Sequence, residues 1–158
     1  MNTRFSEYRP SSPLRSLVQT YWTGDFNLHS EHQFVQSVVP NGCIELIIHL
    51  SGNHCELIKG GQWGKTPQFM VIGLQMGTYQ VRFNKTVQVF GIRFYPDGIY
   101  SIFGIPPSQF TGTFEEAQVI AGDDFEEYCR RLRDTRNLPA KISLTDNFLL
   151  RAIAQRSS

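Results

Sequence analysis

Paired cysteines are missing from this chain. Cys43, Cys55 and Cys129 stand far apart and no Cys-x-x-Cys occurs, which removes zinc ribbons and thioredoxin-like redox chemistry. The odd count, and a polar start (MNTRFSEYRPSSPLRS) without an apolar leader, lead to the expectation of a reducing, cytoplasmic setting. Long hydrophobic runs are also lacking. The longest, Cys43 to Leu50, is interrupted by Glu45 and His49 and is far too short to span a bilayer, so no membrane partner is expected.

An excess of one charge is absent too. The formal net charge is +1, without the basic footprint that a nucleic-acid backbone demands. Arg130, Arg131, Arg133 and Arg136 alternate with Asp123, Asp124, Glu126, Glu127 and Asp134, the pattern of a solvated helix face. No His-x-His occurs among His29, His32, His49 and His54. The His29-x-x-His32 spacing suits a helix, whereas the segment reads as a loop, so no metal site and no cofactor are expected. There is no Gly-x-Ser-x-Gly elbow, and KGGQWGKT, although it holds Gly64-Lys65-Thr66, lacks the full Gly-x-x-x-x-Gly-Lys-Ser/Thr spacing and the following helix of a phosphate loop. No catalytic residue is assigned, and an enzyme is not expected.

The 158 residues suffice for one domain with a real core. Twelve Phe, six Tyr and two Trp suit sheets, cores and ligand pockets. Strand signals recur at close spacing: Val18 to Phe26, Phe34 to Val39, Cys43 to Leu50, His54 to Ile58, Phe69 to Gln75, Thr78 to Phe83 and Val87 to Tyr95. Pro40-Asn41-Gly42 is a turn, and the strands on either side of it read as a hairpin. KGGQWGKTP reads as a Gly-rich loop whose Trp63 either lids a ligand or folds back on the sheet. No crossover helix separates the strands, which favours an antiparallel sandwich or barrel.

After Pro96 the texture turns helical. Asp97 to Gly104 and Pro106 to Gly112 read as short helical turns, Asp123 to Arg136 as a helix capped by Asp123 or Asp124, and about Leu144 to Gln155 as a last helix. Phe125, Tyr128, Cys129 and Leu132 form an apolar stripe on the first of these helices, and Phe148, Leu149, Ala152 and Ile153 on the second. The chain therefore divides into an antiparallel sandwich or barrel with short helical turns over residues 1–122 and C-terminal helices over 123–158, whose linker or dimerisation role is what the family resemblance given below implies.

Alternation sorts the strands. In Val87 to Tyr95, Phe90, Ile92 and Phe94 face a core while Gly91, Arg93 and Tyr95 face the other way. In Cys43 to Leu50, Glu45 and His49 share the second face. Glu45, His49 and Arg93 then line either a semi-polar concavity or the solvent side of the sheet, with a Glu45–Arg93 ion pair as a further option.

The segments PLRSLVQTYW, VVPNGCIELIIHLSG, VIGLQ and VFGIRFYPDGIYSIFGIPPSQFTG, in that order, resemble the N-terminal regulatory domain of a subgroup of AraC-type bacterial transcription regulators. The resemblance covers about residues 8 to 135. Asp97 stands where that pattern often has Gly, which bears on the turn. The resemblance implies a mainly β, cupin-like antiparallel barrel or jelly roll followed by helices, which senses a small-molecule effector and forms a homodimer. It also implies contact with DNA only through a C-terminal domain not contained in this chain. The candidate ligand residues are Trp22, Glu45, His49, Tyr79, Arg93 and Tyr95, with Arg93 receiving an anion. The candidate dimer contacts are Phe148, Leu149 and Ile153, which otherwise cap the barrel. A stand-alone small-molecule-binding cupin, or a metal-dependent cupin enzyme, is the alternative.

Overall fold

The computed structural model describes residues 2–27, 33–59, 61–112 and 114–157. The strands are β1 (Asn2–Tyr8), β2 (Val18–Asn27), β3 (Phe34–Val38), β4 (Ile44–His49), β5 (Glu56–Lys59), β6 (Gln62–Lys65), β7 (Phe69–Ile72), β8 (Tyr79–Phe83), β9 (Val87–Phe94) and β10 (Phe114–Glu116). Helix α1 (Pro96–Phe103) lies between β9 and β10, and α2 (Gln118–Asp134) and α3 (Leu138–Ser157) close the chain. Short 3-10 turns occupy Ser12–Leu14 and Pro107–Phe110.

Two antiparallel sheets hold the strands in the orders β1-β2-β9-β4-β7-β10 and β3-β8-β5-β6. Taking β2 to β9 as eight consecutive strands, the chain passes back and forth between sheets at β2–β3, β3–β4, β4–β5, β6–β7, β7–β8 and β8–β9. This is jelly-roll topology, the cupin-like arrangement. Pro40-Asn41-Gly42 therefore does not close a hairpin. It carries the chain from β3, paired with β8, to β4, paired with β7 and β9. The turn chemistry itself is as expected: Gly42 has φ +75° and the Cys43 N–H donates to Asn41 Oδ1 at 2.9 Å.

The central sheet has a core on each side. Phe90, Ile92 and Phe94 of β9 lie with Ile44, Leu46 and Ile48 of β4 against α1, α2 and α3, where Ile99, Ile102, Phe125, Leu132 and Leu149 meet them. A fully buried Phe or Ile contributes roughly 2–3 kcal/mol, so this layer fastens the helices to the sheet. The opposite face of β9 and β4 looks into the barrel, where Trp22, Ile47, Leu57, Met70, Phe83 and Val89 pack. On this second face His49 is fully buried, and Glu45 and Arg93 keep 13% and 18% exposure.

Helix α1 starts with Pro96 in its first turn and Asp97 beside it. Pro tolerates that position and an acid there complements the helix dipole, so Asp97 begins a helix rather than a tight turn. Helix α2 begins at Gln118, ahead of the expected Asp123, and runs across the expected 122/123 boundary. Its Phe125, Tyr128, Cys129 and Leu132 lie in the core between the sheet and the helices. Helix α3 begins at Leu138, where Asn137 Oδ1 accepts the Ala140 N–H at 3.0 Å and Pro139 follows: an N-cap with proline in the first turn.

The Gly-rich segment also differs from expectation. Gln62–Lys65 is a strand paired with β5, Ile58 opposite Trp63. Trp63 lies under the Arg82 guanidinium, 4.6 Å from its ring centroid. Arg82 is itself held by Glu56 at 3.1 and 3.2 Å. The indole is folded back on the sheet and is not a free lid.

Candidate functional site

Glu45 of β4 and Arg93 of β9 are direct partners across the sheet, and Ile72 of β7 lies beyond Glu45. Both side chains enter the barrel mouth because they sit at odd positions of strands whose even positions fill the helical core. Arg93 Nε donates to Glu45 Oε1. Its Nη1 reaches Gln19 Oε1 at 3.5 Å and stands 3.9 Å from Glu7 of β1. Burial alone would lower the guanidinium pKa; the Glu45 carboxylate outweighs it and holds the group above its ordinary value. Tyr79 of β8 completes the mouth, its phenol pushed up by burial and by the charge of Glu45. Burial also pushes up the Cys43 thiol, so neither is a ready nucleophile.

The mouth is small, a cavity of about 80 Å³ lined by Cys43, Glu45, Gln75, Tyr79 and Arg93 among others. Pockets for drug-sized ligands run to several hundred Å³. Arg93 is already neutralised by Glu45 and flanked by Glu7, so a bare anion must displace a carboxylate to reach it. A small polar or zwitterionic group that shares the pair is a better chemical match.

Trp22 lies deeper. Its indole covers Gly91, where a Cβ would come within 2.0 Å of Cε2, and it is 7% exposed. Its Nε1–H is buried with no hydrogen-bond partner among the described residues, a donor left facing the barrel interior. His49 is elsewhere. It lies four residues along β4 from Glu45, about 13 Å away at strand rise. Its Nδ1–H donates to the Gln68 carbonyl at 3.0 Å and its Nε2 accepts from the Cys55 N–H at 3.5 Å. The ring stacks on His54 with centroids 4.7 Å apart, and burial lowers its pKa to about 4. Tyr95 caps the start of α1 and is 37% exposed, outside the mouth. The six candidates thus divide into a cluster of Glu45, Arg93 and Tyr79, a neighbouring Trp22, and two residues that do not join them.

The dimer candidates pack within the chain. Leu149 is fully buried and Phe148 is 9% exposed within the chain's own core, with Ile153 packed against that core. Phe148 stacks on Tyr128 at 4.3 Å. These side chains pack onto the core between the helices and the sheet. Among the described residues no cluster of three His, Cys, Asp or Glu forms a metal site; His29 and His32 lie outside the described residues. Glu7, Gln19, Cys43 and Gln75 join the mouth without having been singled out in the sequence. Cross-strand register was the missing information, since β1 has no strong strand pattern of its own.

A family model covers residues 6–116, from β1 to the end of β10. The chain belongs to the family described as a domain of unknown function, DUF6597. The DUF6597 segment takes in both sheets and α1, and leaves α2 and α3 outside. No curated protein matches the chain. Among solved structures, it is similar to the cupin domain of an XRE family transcriptional regulator from Enterobacter cloacae, at 15% identity over 61% of this chain and 99% of that one, TM-score 0.44. It is also similar to an HTH_3 family transcriptional regulator from Vibrio cholerae, at 19% identity over 60% of this chain and 52% of that one, TM-score 0.43. Among the described residues no helix is long and apolar enough to cross a membrane.

Proposed function

We propose that this chain is the N-terminal regulatory domain of an AraC-type transcription regulator, working in the cytoplasm, and that it biases a DNA-binding domain attached after α3. In this reading the domain is not an enzyme. One observation carries the proposal: the last helix is keyed to the barrel by polar contacts of Asp146, not merely laid on it. Asp146 Oδ1 of α3 accepts the Tyr21 hydroxyl of β2 at 2.6 Å and the Ser11 N–H at 3.1 Å. Tyr128 of α2 meets Thr145 of α3 at 2.7 Å. A rearrangement of β2 or β9 at the barrel mouth therefore reaches α3 through side chains that cannot be left unpaired. An effector acts here by population shift, favouring whichever state binds it more tightly. Homodimerisation belongs to the same proposal, through a surface other than Phe148 and Leu149.

The coding sequence downstream of Ser158 tests the reading. Two helix-turn-helix segments there support it, and a catalytic domain in that place overturns it. The mouth is tested by thermal shift against small polar and zwitterionic compounds: a stabilising compound whose effect survives Arg93→Ala removes Arg93 from the effector site.

A further inference from the structure

One recess with an unbalanced rim lies outside the barrel, among the helices. It is a cavity of about 380 Å³ where α1, α2 and α3 meet, within the range of small-molecule sites. Its floor is Ile102 and Phe103 of α1, Tyr128 of α2, and Phe148 and Ala152 of α3. Tyr128 and Phe148 stack on one another with centroids 4.3 Å apart, so they line the floor with ring edges beside the more open Phe103. Helical spacing puts polar residues at the rim: Asp124, Glu127 and Arg131 share the Tyr128 face of α2, and Arg151 shares the Phe148 face of α3.

The charges at that rim do not cancel. Three guanidinium groups (Arg131, Arg151 and Arg156) face two carboxylates (Asp124 and Glu127), and Glu127 is already paired with Arg130. Arg156 is held at the Tyr100 carbonyl. The guanidinium groups of Arg131 and Arg151 have no hydrogen bond or ion pair among the described residues. An aromatic floor bordered by two uncommitted guanidinium groups fits a flat apolar body that ends in a carboxylate.

We propose that this groove binds an aryl-alkyl carboxylate, its ring against Phe103, Ala152 and the ring edges of Tyr128 and Phe148, and its carboxylate at the Arg131–Arg151 rim. The groove joins α1, which follows β9 directly, to α3, so an occupant fixes how α3 sits on the barrel. That consequence for DNA control rests on the regulatory reading above; the binding itself does not.

The probe is 4-phenylbutyrate, with 4-phenyl-1-butanol as its uncharged counterpart, titrated into the 158-residue chain by calorimetry and by amide chemical-shift mapping. At low salt the carboxylate is expected to bind about tenfold tighter than the alcohol, the sum of two rim pairs. Added salt should narrow the gap, and shifts should centre on Phe103, Tyr128 and Ala152. The exposed pair R131A/R151A should retain the fold and bring the acid down to the alcohol's affinity. Ala152→Phe should abolish binding of both. No binding of either probe, equal affinities, or a preference that survives R131A/R151A each overturns the proposal. So does a dimer in sedimentation that Ala152→Phe dissolves, which gives the groove to a second copy. None of these results depends on whether a DNA-binding domain follows Ser158.

Discussion

Replacing Glu45 by Ala leaves Arg93 partly buried, with only Glu7 at 3.9 Å and Gln19 to answer it. Breaking a buried pair from one side costs 3–5 kcal/mol and an exposed one under 1. These side chains are 13% and 18% exposed, so a loss of about 2 kcal/mol is expected in urea denaturation. The Glu45→Gln/Arg93→Met double variant should recover part of it. Gly91→Ala tests the neighbouring packing. Its methyl meets the Trp22 indole at 2.0 Å, which should cost about 2–3 kcal/mol, and Trp22→Leu in the same chain should relieve it. His49 supplies a pH dependence. Its folded pKa of about 4 lies below the ordinary 6.5 because burial disfavours the imidazolium. Between those values the unfolded chain binds the extra proton, so stability is full above pH 6.5 and falls as pH drops toward 4, by roughly 3 kcal/mol in total. Urea midpoints from pH 7 to 4 should show this slope flattened in His49→Gln.

At the scale of elements, Asp146→Ala should loosen α3 before it loosens the barrel. The substitution strands the Tyr21 hydroxyl, whose parent residue is fully buried, at a cost of about 2 kcal/mol. Hydrogen exchange should rise in Leu138–Ser157 while β9 and β4 stay protected. The helix that Asp146 anchors is also where sequence and structure part company. Alternation marks β9 and β4 because each carries a full set of apolar residues at every second position, and the stripe Phe125, Tyr128, Cys129, Leu132 marks α2. The pairing of β3 with β8 instead of β4 is not marked, because a Pro-Asn-Gly turn has the same composition whether it closes a hairpin or crosses between sheets. Strand β6 is hidden because Gly61 and Gly64 carry the vocabulary of a loop while its pairing to β5 comes from tertiary context. Alternation puts Glu45 and Arg93 on the second faces of their strands and leaves an ion pair as one option; the β4–β9 register makes them partners. That they face a barrel interior is not legible from alternation, since nothing in a strand's own period says which of its faces the second sheet covers.

On the whole molecule, the two cores enclose Cys55 and Cys129, while Cys43 is buried at the barrel mouth. Cys43, Cys55 and Cys129 are free and buried, and burial pushes all three thiols up. A thiol reagent should therefore label the native chain slowly at neutral pH and all three cysteines promptly in denaturant. Fast native labelling would mean that the barrel mouth or the α2 contact opens readily.

Strand β1 lies at the border of the six-stranded sheet, running the length of β2 from Asn2 opposite Asn27 to Tyr8 opposite Tyr21. It shields a long ribbon of Val, Thr, Tyr, Trp and Phe backbone that would otherwise be an unpaired sticky margin. Shortening the protein to begin at Arg9 uncovers that margin and withdraws Glu7 from Arg93. Such a truncated product should scatter light and precipitate at concentrations where the parent stays clear, so affinity tags belong on the other terminus.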